Sequence, residues 1–179
     1  GGAANGLAAR PAAFVWSYWA ILVIVLALDQ ATKAWAMSRL SGNNDLTLIP
    51  NFLYFDLAFN TGAAFSLFER HPGVLTAIAC AVSVAVLIWA WRTPAADWPT
   101  AAALFLILGG AIGNLIDRFR LEKVIDFIRV HFAVIDWSWP TFNAADSAIC
   151  IGMGLLVFRA FFPAEGVSKP DSPSQPPVS

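Results

Sequence analysis

The sequence predicts an all-α membrane protein: four transmembrane helices, with a small β element and a short surface helix at one membrane edge. Three observations carry this. First, 58% of the 179 residues are hydrophobic and only 13% charged, where a soluble domain carries about 25% charged residues. Second, the mean hydropathy is +0.65, and the apolar residues gather into charge-free runs. At roughly 1.5 Å per residue these are long enough to cross a hydrocarbon core of about 30 Å. Third, the polar residues beside those runs crowd towards one end. The net charge of −1 and the scatter of the basic residues argue against a nucleic-acid partner.

The first span begins at Ala12 and stays uncharged to Leu28. A secretory signal peptide is the competing reading. The run exceeds a usual apolar signal region, and Arg10 is the only positive charge before it, so a retained helix is expected. Asp29 and Lys33 follow, four residues apart and therefore on one face if the helix continues. Residues 38–72 form an insertion. Ser41-Gly42-Asn43-Asn44 reads as a turn. Leu53, Phe55, Leu57 and Phe59 then alternate with Tyr54, Asp56, Ala58 and Asn60, the period of a half-buried strand. Asn60-Thr61-Gly62 ends it with turn chemistry, and Phe65 to Phe68 is expected as the short surface helix.

The second span runs from Gly73 to Trp91 and the third from Trp98 to Ile116, with Trp89, Trp91 and Trp98 placed as an interfacial aromatic belt. Gly109 and Gly113, four apart, permit close approach of another helix. Residues 117–141 read as a second polar loop, carrying Asp126. The fourth span extends from Ala144 to Phe162, with Asp146 in its first turn and Arg159 placed to snorkel near its far end. Cys80 and Cys150 read as small buried hydrophobes. The expected organisation is an N-terminal segment (residues 1–11, whose Gly1-Gly2 start reads as an expression scar), a four-helix transmembrane domain (12–162) and a disordered Pro/Ser-rich tail (163–179).

The chemistry lies in the polar residues at the loop-side surface: Asp29, Lys33, Asn60, Asn114, Asp117, Arg118, Asp126, Asn143 and Asp146. Asn114, Asp117 and Arg118 share a helical face. Asn143 is placed as an N-cap, which puts Asp146 at the third helical position, where the helix dipole favours its charge. Asp126 lies within Val124-Ile125-Asp126-Phe127-Ile128. A carboxylate in such surroundings is costly to ionise, and two of them sharing a proton over one water form the core of an aspartic protease. Asp56, Glu122 and Asp136 read as surface acids. His71 and His131 are isolated, so a zinc protease is poorly supported, and neither metal nor organic cofactor is expected. A proton-coupled transporter using paired acids is the runner-up, and a helix-packing scaffold built on Gly109 and Gly113 a third reading.

Five blocks carry a family resemblance: Leu28-Asp29-Gln30-Ala31-Thr32-Lys33, Asn60-Thr61-Gly62-Ala63-Ala64-Phe65-Ser66, Gly113-Asn114-Leu115-Ile116-Asp117-Arg118, Val124-Ile125-Asp126-Phe127 and Phe142-Asn143-Ala144-Ala145-Asp146-Ser147. In this order the sequence resembles the bacterial lipoprotein signal peptidases (signal peptidase II). The resemblance implies an aspartic endopeptidase of the inner membrane that cleaves prolipoproteins before the lipid-modified cysteine. Asp126 and Asp146 would be the catalytic dyad. Asp29, Lys33, Asn60, Gly62, Asn114, Arg118 and Asn143 would bind substrate or support the site. The partners it implies are a lipid-modified prolipoprotein and membrane lipids, and a monomer is expected. It also implies cytoplasmic termini, a periplasmic β element and a site near the periplasmic face. The charge bias alone leans the other way, with Arg39, Arg70, Arg118, Arg120, Lys123 and Arg129 all on the loop side. One position departs from the family. A glycine often stands two residues before the valine of the Val-x-Asp-Phe block, and here that place holds Glu122.

Overall fold

The computed structural model describes residues 12–42, 44–62, 72–94 and 97–162. The segment predicted as a surface helix, the N-terminal segment and the tail lie outside these residues. The elements follow as α1 (Ala12–Arg39), β1 (Leu46–Ile49), β2 (Leu53–Asn60), α2 (Pro72–Arg92), α3 (Trp98–Leu121), β3 (Val124–Phe132), β4 (Trp137–Ser138) and α4 (Ala144–Phe161).

All four helices are long and apolar enough to cross a membrane. They differ in what surrounds them. In α3, 67% of the apolar window is buried within the protein, against 22%, 11% and 17% for α1, α2 and α4. So α3 is the axis, and the others pack around it and turn apolar side chains outward. Val23, Ile24, Val82, Val84, Ile151 and Val157 are all more than half exposed. Such surfaces are stable only against lipid, because helices that are apolar all round gain nothing by facing water. Cys150 belongs to this exposed surface and Cys80 is half-buried, so neither is the buried hydrophobe that the sequence predicts. The reason is the bilayer, which lets a small apolar side chain remain outside the protein core.

Glycines set the approach of the helices to α3. A Cβ on Gly109 would lie 2.9 Å from Val25 Cβ of α1, and one on Gly110 would lie 2.3 Å from the Ala145 carbonyl oxygen of α4. At the far end Arg159 donates from Nε and Nη2 to Asp97 Oδ1 at 3.2 and 3.0 Å. It therefore tethers α4 to the start of α3 rather than simply snorkelling.

Each helix boundary has a local cause. α3 begins with Pro99 in its first turn, where the missing N–H is harmless. It ends at Glu122, which adopts φ +59° and donates its N–H to the Arg118 carbonyl oxygen at 3.0 Å. That left-handed cap favours glycine, which accounts for the residue type expected there from the resemblance. α4 begins with a capping box: Asn143 Oδ1 accepts from the Asp146 N–H, and the Asp146 carboxylate accepts from the Asn143 N–H.

The sheet is larger than predicted. It is four-stranded and antiparallel, in the order β1-β2-β3-β4. β2 is the predicted strand. Residues 117–141, expected as a loop, instead complete α3 and form β3 and β4. The Val124 to Phe127 stretch is buried on both faces, so it lacks the period-two alternation that marks a half-buried strand. Asp126 is thus a strand residue, paired with Ala58 across the ladder, with Asn60 opposite Val124. Asp56, read as a surface acid, is half-buried and joined to Arg129 Nε at 2.6 Å. The last turns of α1 dock on the sheet through Ala36, Leu40 and Phe127, and Trp35 packs edge-on against Phe55 and Phe127.

Candidate active site

Asp126 and Asp146 come from β3 and α4, and a short backbone link sets their relation. The Phe142 N–H donates to the Ile128 carbonyl oxygen, and the Phe142 carbonyl oxygen accepts from Phe127 and Ile128 N–H at 3.1 and 2.9 Å. The segment entering α4 is thereby laid against β3, and Asn143, fully buried, arrives beside Asp126.

Asn143 then binds both aspartates. Its side-chain amide donates to Asp126 Oδ1 at 2.7 Å, and its main-chain N–H donates to Asp146 Oδ2 at 3.2 Å. Each carboxylate has one further donor. Asn60 Nδ2 reaches Asp126 Oδ2 at 3.0 Å, and Asn114 Nδ2 reaches Asp146 Oδ1 at 2.7 Å. The predicted N-cap role of Asn143 is present, and the residue has this second role as well. Asn60 is oriented by its own turn, its Oδ1 accepting from the Gly62 N–H at 2.8 Å. Gly62 has φ +88°, a conformation that strains any side chain, and a Cβ there would also displace the Leu75 side chain of α2, so glycine is favoured.

The electrostatics distinguish the two acids. Burial pushes the Asp126 carboxyl from 3.8 up to about 6, and the nearby Asp146 charge adds to the rise. The Asn60 and Asn143 bonds and the Lys33 charge pull it back. Asp146 differs in position: it sits in the first turn of α4 and accepts from a main-chain and a side-chain donor.

Asp29 and Lys33 are more than an interfacial pair. They are 0% and 2% exposed, and Asp117, at 2%, completes a buried triad. Lys33 Nζ lies 2.9 Å from Asp29 Oδ2 and 2.7 Å from Asp117 Oδ2. Asp117, which shares a helical face with Arg118, pairs with Lys33 of α1. Arg118, half-buried, makes a long 3.5 Å bond to the Asn114 carbonyl oxygen and bonds neither dyad aspartate among the described residues. Gln30, which carries no site signal of its own in the sequence, donates to Asp29 Oδ2 at 3.1 Å and to Asp117 Oδ1 at 3.4 Å. Its position one residue after Asp29 was the available signal. Gly113 makes room for the triad, since a Cβ there would lie 2.6 Å from Asp29 Oδ2.

Known proteins are similar to this chain over most of its length. Residues 21–162 match the family model described as Signal peptidase (SPase) II. A lipoprotein signal peptidase of Teredinibacter turnerae is 45% identical over 155 residues, covering 84% of this chain and 89% of the relative. One of Pseudomonas aeruginosa is 41% identical over 145 residues, covering 79% and 85%. Among solved structures, a bacterial membrane enzyme determined by the in meso method at 1.9 Å resolution superposes with a TM-score of 0.76. It is 26% identical and covers 84% of this chain and 96% of its own. None of these matches favours the transporter reading. Because the family match runs from the middle of α1 to the end of α4, and close relatives align over most of their own length, this multi-pass membrane chain belongs to the signal peptidase II family.

Proposed function

We propose that the protein removes signal peptides from prolipoproteins as an aspartic endopeptidase, with Asp126 and Asp146 as its dyad. The single observation that carries the reading is Asn143, which holds both carboxylates at once from the junction of β3 and α4. In the resting enzyme Asp126 is the protonated member, because burial and the neighbouring charge raise its carboxyl. Asp146 is the base. It takes a proton from a water held between the two groups, and the water oxygen attacks the scissile carbonyl carbon. Asp126 gives its proton to the carbonyl oxygen. As the tetrahedral intermediate collapses, the C–N bond breaks, the proton held by Asp146 passes to the departing amine, that of the diacylglyceryl-modified cysteine, and a hydroxyl proton returns to Asp126 as the carbonyl re-forms.

Asn60 and Arg118, at the rim, hold the peptide backbone, and Gly62 keeps the Asn60 turn in place. The lipid chains of the substrate lie among the outer helices, whose exposed apolar surface already suits acyl chains. The working form is a monomer in the inner membrane. Its termini are cytoplasmic, and the sheet and dyad lie near the periplasmic face. Asp126→Asn and Asp146→Asn, each assayed on a lipidated prolipoprotein, are expected to lose at least about 1000-fold in rate. Near-parental cleavage by either variant would overturn the dyad, and inhibition by a chelator or a serine reagent would point to different chemistry.

A further inference from the structure

We infer that Lys33 is a positioning residue for both aspartates: one buried ammonium, bonded to neither, fixes the groups that hold each of them. This rests on the proposed dyad. An ammonium has three N–H donors, and Lys33 has three acceptors, each from a different group: Asp29 at 2.9 Å, Asp117 at 2.7 Å and Asn114 Oδ1 at 3.0 Å. Each acceptor passes the constraint on. Asp29 Oδ1 accepts the N–H of Ala145, the residue before Asp146, at 3.1 Å. Asp117 Oδ2 accepts the N–H of Ile125, the residue before Asp126, at 3.2 Å. Asn114 must turn its oxygen to the cation, and so presents its NH2 to Asp146 Oδ1 at 2.7 Å. The same Asn114 oxygen also accepts from Asn143 Nδ2 at 3.1 Å, the amide that binds Asp126.

The arrangement is parallel at the two acids: in each case a buried carboxylate from a transmembrane helix grips the peptide N–H just before the aspartate. Both carboxylates are held by the same cation. Stability alone does not require this device, because a buried ion cluster often gives no more stability than apolar packing. Positional accuracy does, since a misplacement of about 1 Å in a catalytic group costs on the order of 100-fold in rate. The charged groups that act on Asp126 are Asp146 of α4 and Lys33 of α1; those on Lys33 itself are Asp29 of α1 and Asp117 of α3, with Arg118 on the main chain of Asn114. Lys33 is the cation that opposes the ionisation penalty of Asp126.

The test is steady-state cleavage of a lipidated prolipoprotein by the full-length protein in detergent, across pH, with kcat and KM separated. Lys33→Met is expected to lower kcat by roughly 100-fold with little change in KM. It should also move the basic limb of kcat/KM to higher pH, because Asp126 loses a favourable charge. Lys33→Arg keeps the charge but cannot match the three-point geometry. Its basic limb should return to the parental position while kcat stays low. If Lys33→Met fails to fold, the charge-free combination of Lys33→Met, Asp29→Asn and Asp117→Asn replaces it, keeping an acceptor for each peptide N–H. Parental kcat and an unmoved limb in whichever of these variants folds would overturn the inference. Asp126→Asn serves as control: if it cleaves, the dyad itself fails, whereas an inactive control beside a fully active Lys33→Met rejects only the role of Lys33.

Discussion

Asp126→Asn should make the protein more stable at pH 8 and less stable at pH 4. The carboxyl is 1% exposed, and its raised pKa of about 6 compares with 3.8 for a free side chain. At about 1.4 kcal/mol per pKa unit, ionising Asp126 in the folded protein opposes folding by roughly 3 kcal/mol once the pH is well above 6. The sign follows from proton counting. Between pH 3.8 and about 6 the folded state binds the proton more tightly than the unfolded one. The stabilising contribution is therefore fully present below 3.8 and is lost as pH rises through about 6. Asparagine removes the charge but has one acceptor oxygen where the carboxylate uses two. One of the Asn60 and Asn143 amides must then face another NH2, a loss of about 1–2 kcal/mol. The net expectation is a gain of about 1–2 kcal/mol at pH 8 and a loss of similar size at pH 4. Thermal unfolding in detergent, followed by fluorescence of the eight tryptophans, gives the comparison. Parallel curves for parent and variant from pH 4 to 8 would refute the argument, because they would show that Asp126 titrates alike in both states.

Further outcomes follow from the same geometry. Gly113→Ala would push a methyl group to 2.6 Å from Asp29 Oδ2. The collision should cost about 1–3 kcal/mol and lower activity through the triad, read as a fall in both unfolding temperature and cleavage rate. Glu122→Gly relieves a side chain at φ +59° and should raise stability by about 1 kcal/mol with cleavage unchanged; an unchanged or lower unfolding temperature would contradict the cap assignment. For the parent enzyme, kcat/KM should fall as pH rises through about 6, as the Asp126 acid is lost. A flat profile between pH 5 and 8 would remove Asp126 as the proton donor.

Much of the fold was legible because it depends on local signals. The spans were visible as apolar runs, the β2 strand as a period of two, and the start of α4 as an asparagine followed three residues later by an acid. Structure and sequence part where the environment, and not the local pattern, decides. β3 shows no alternation over residues 124–127 because both faces are covered there, and the sequence alone places Asp126 on a loop. The ion pair of Arg159 is not readable from its place near a helix end, because its partner Asp97 lies 62 positions away. Asp56 looked like a surface acid until the sheet placed Arg129 beside it.

The sequence by itself determined that this chain has four helices long and apolar enough to cross a membrane, and which residue types gather beside them. Apolar length and helix-cap chemistry are properties of neighbouring residues, and they act wherever the chain lies. Only the tertiary structure decided that Lys33 would meet Asn114, 81 positions away, that Asp117 would turn to that lysine rather than to Arg118, and that one asparagine would hold both aspartates. A buried charge must find a partner within a few ångströms, and which partner stands there depends on how the helices close around α3.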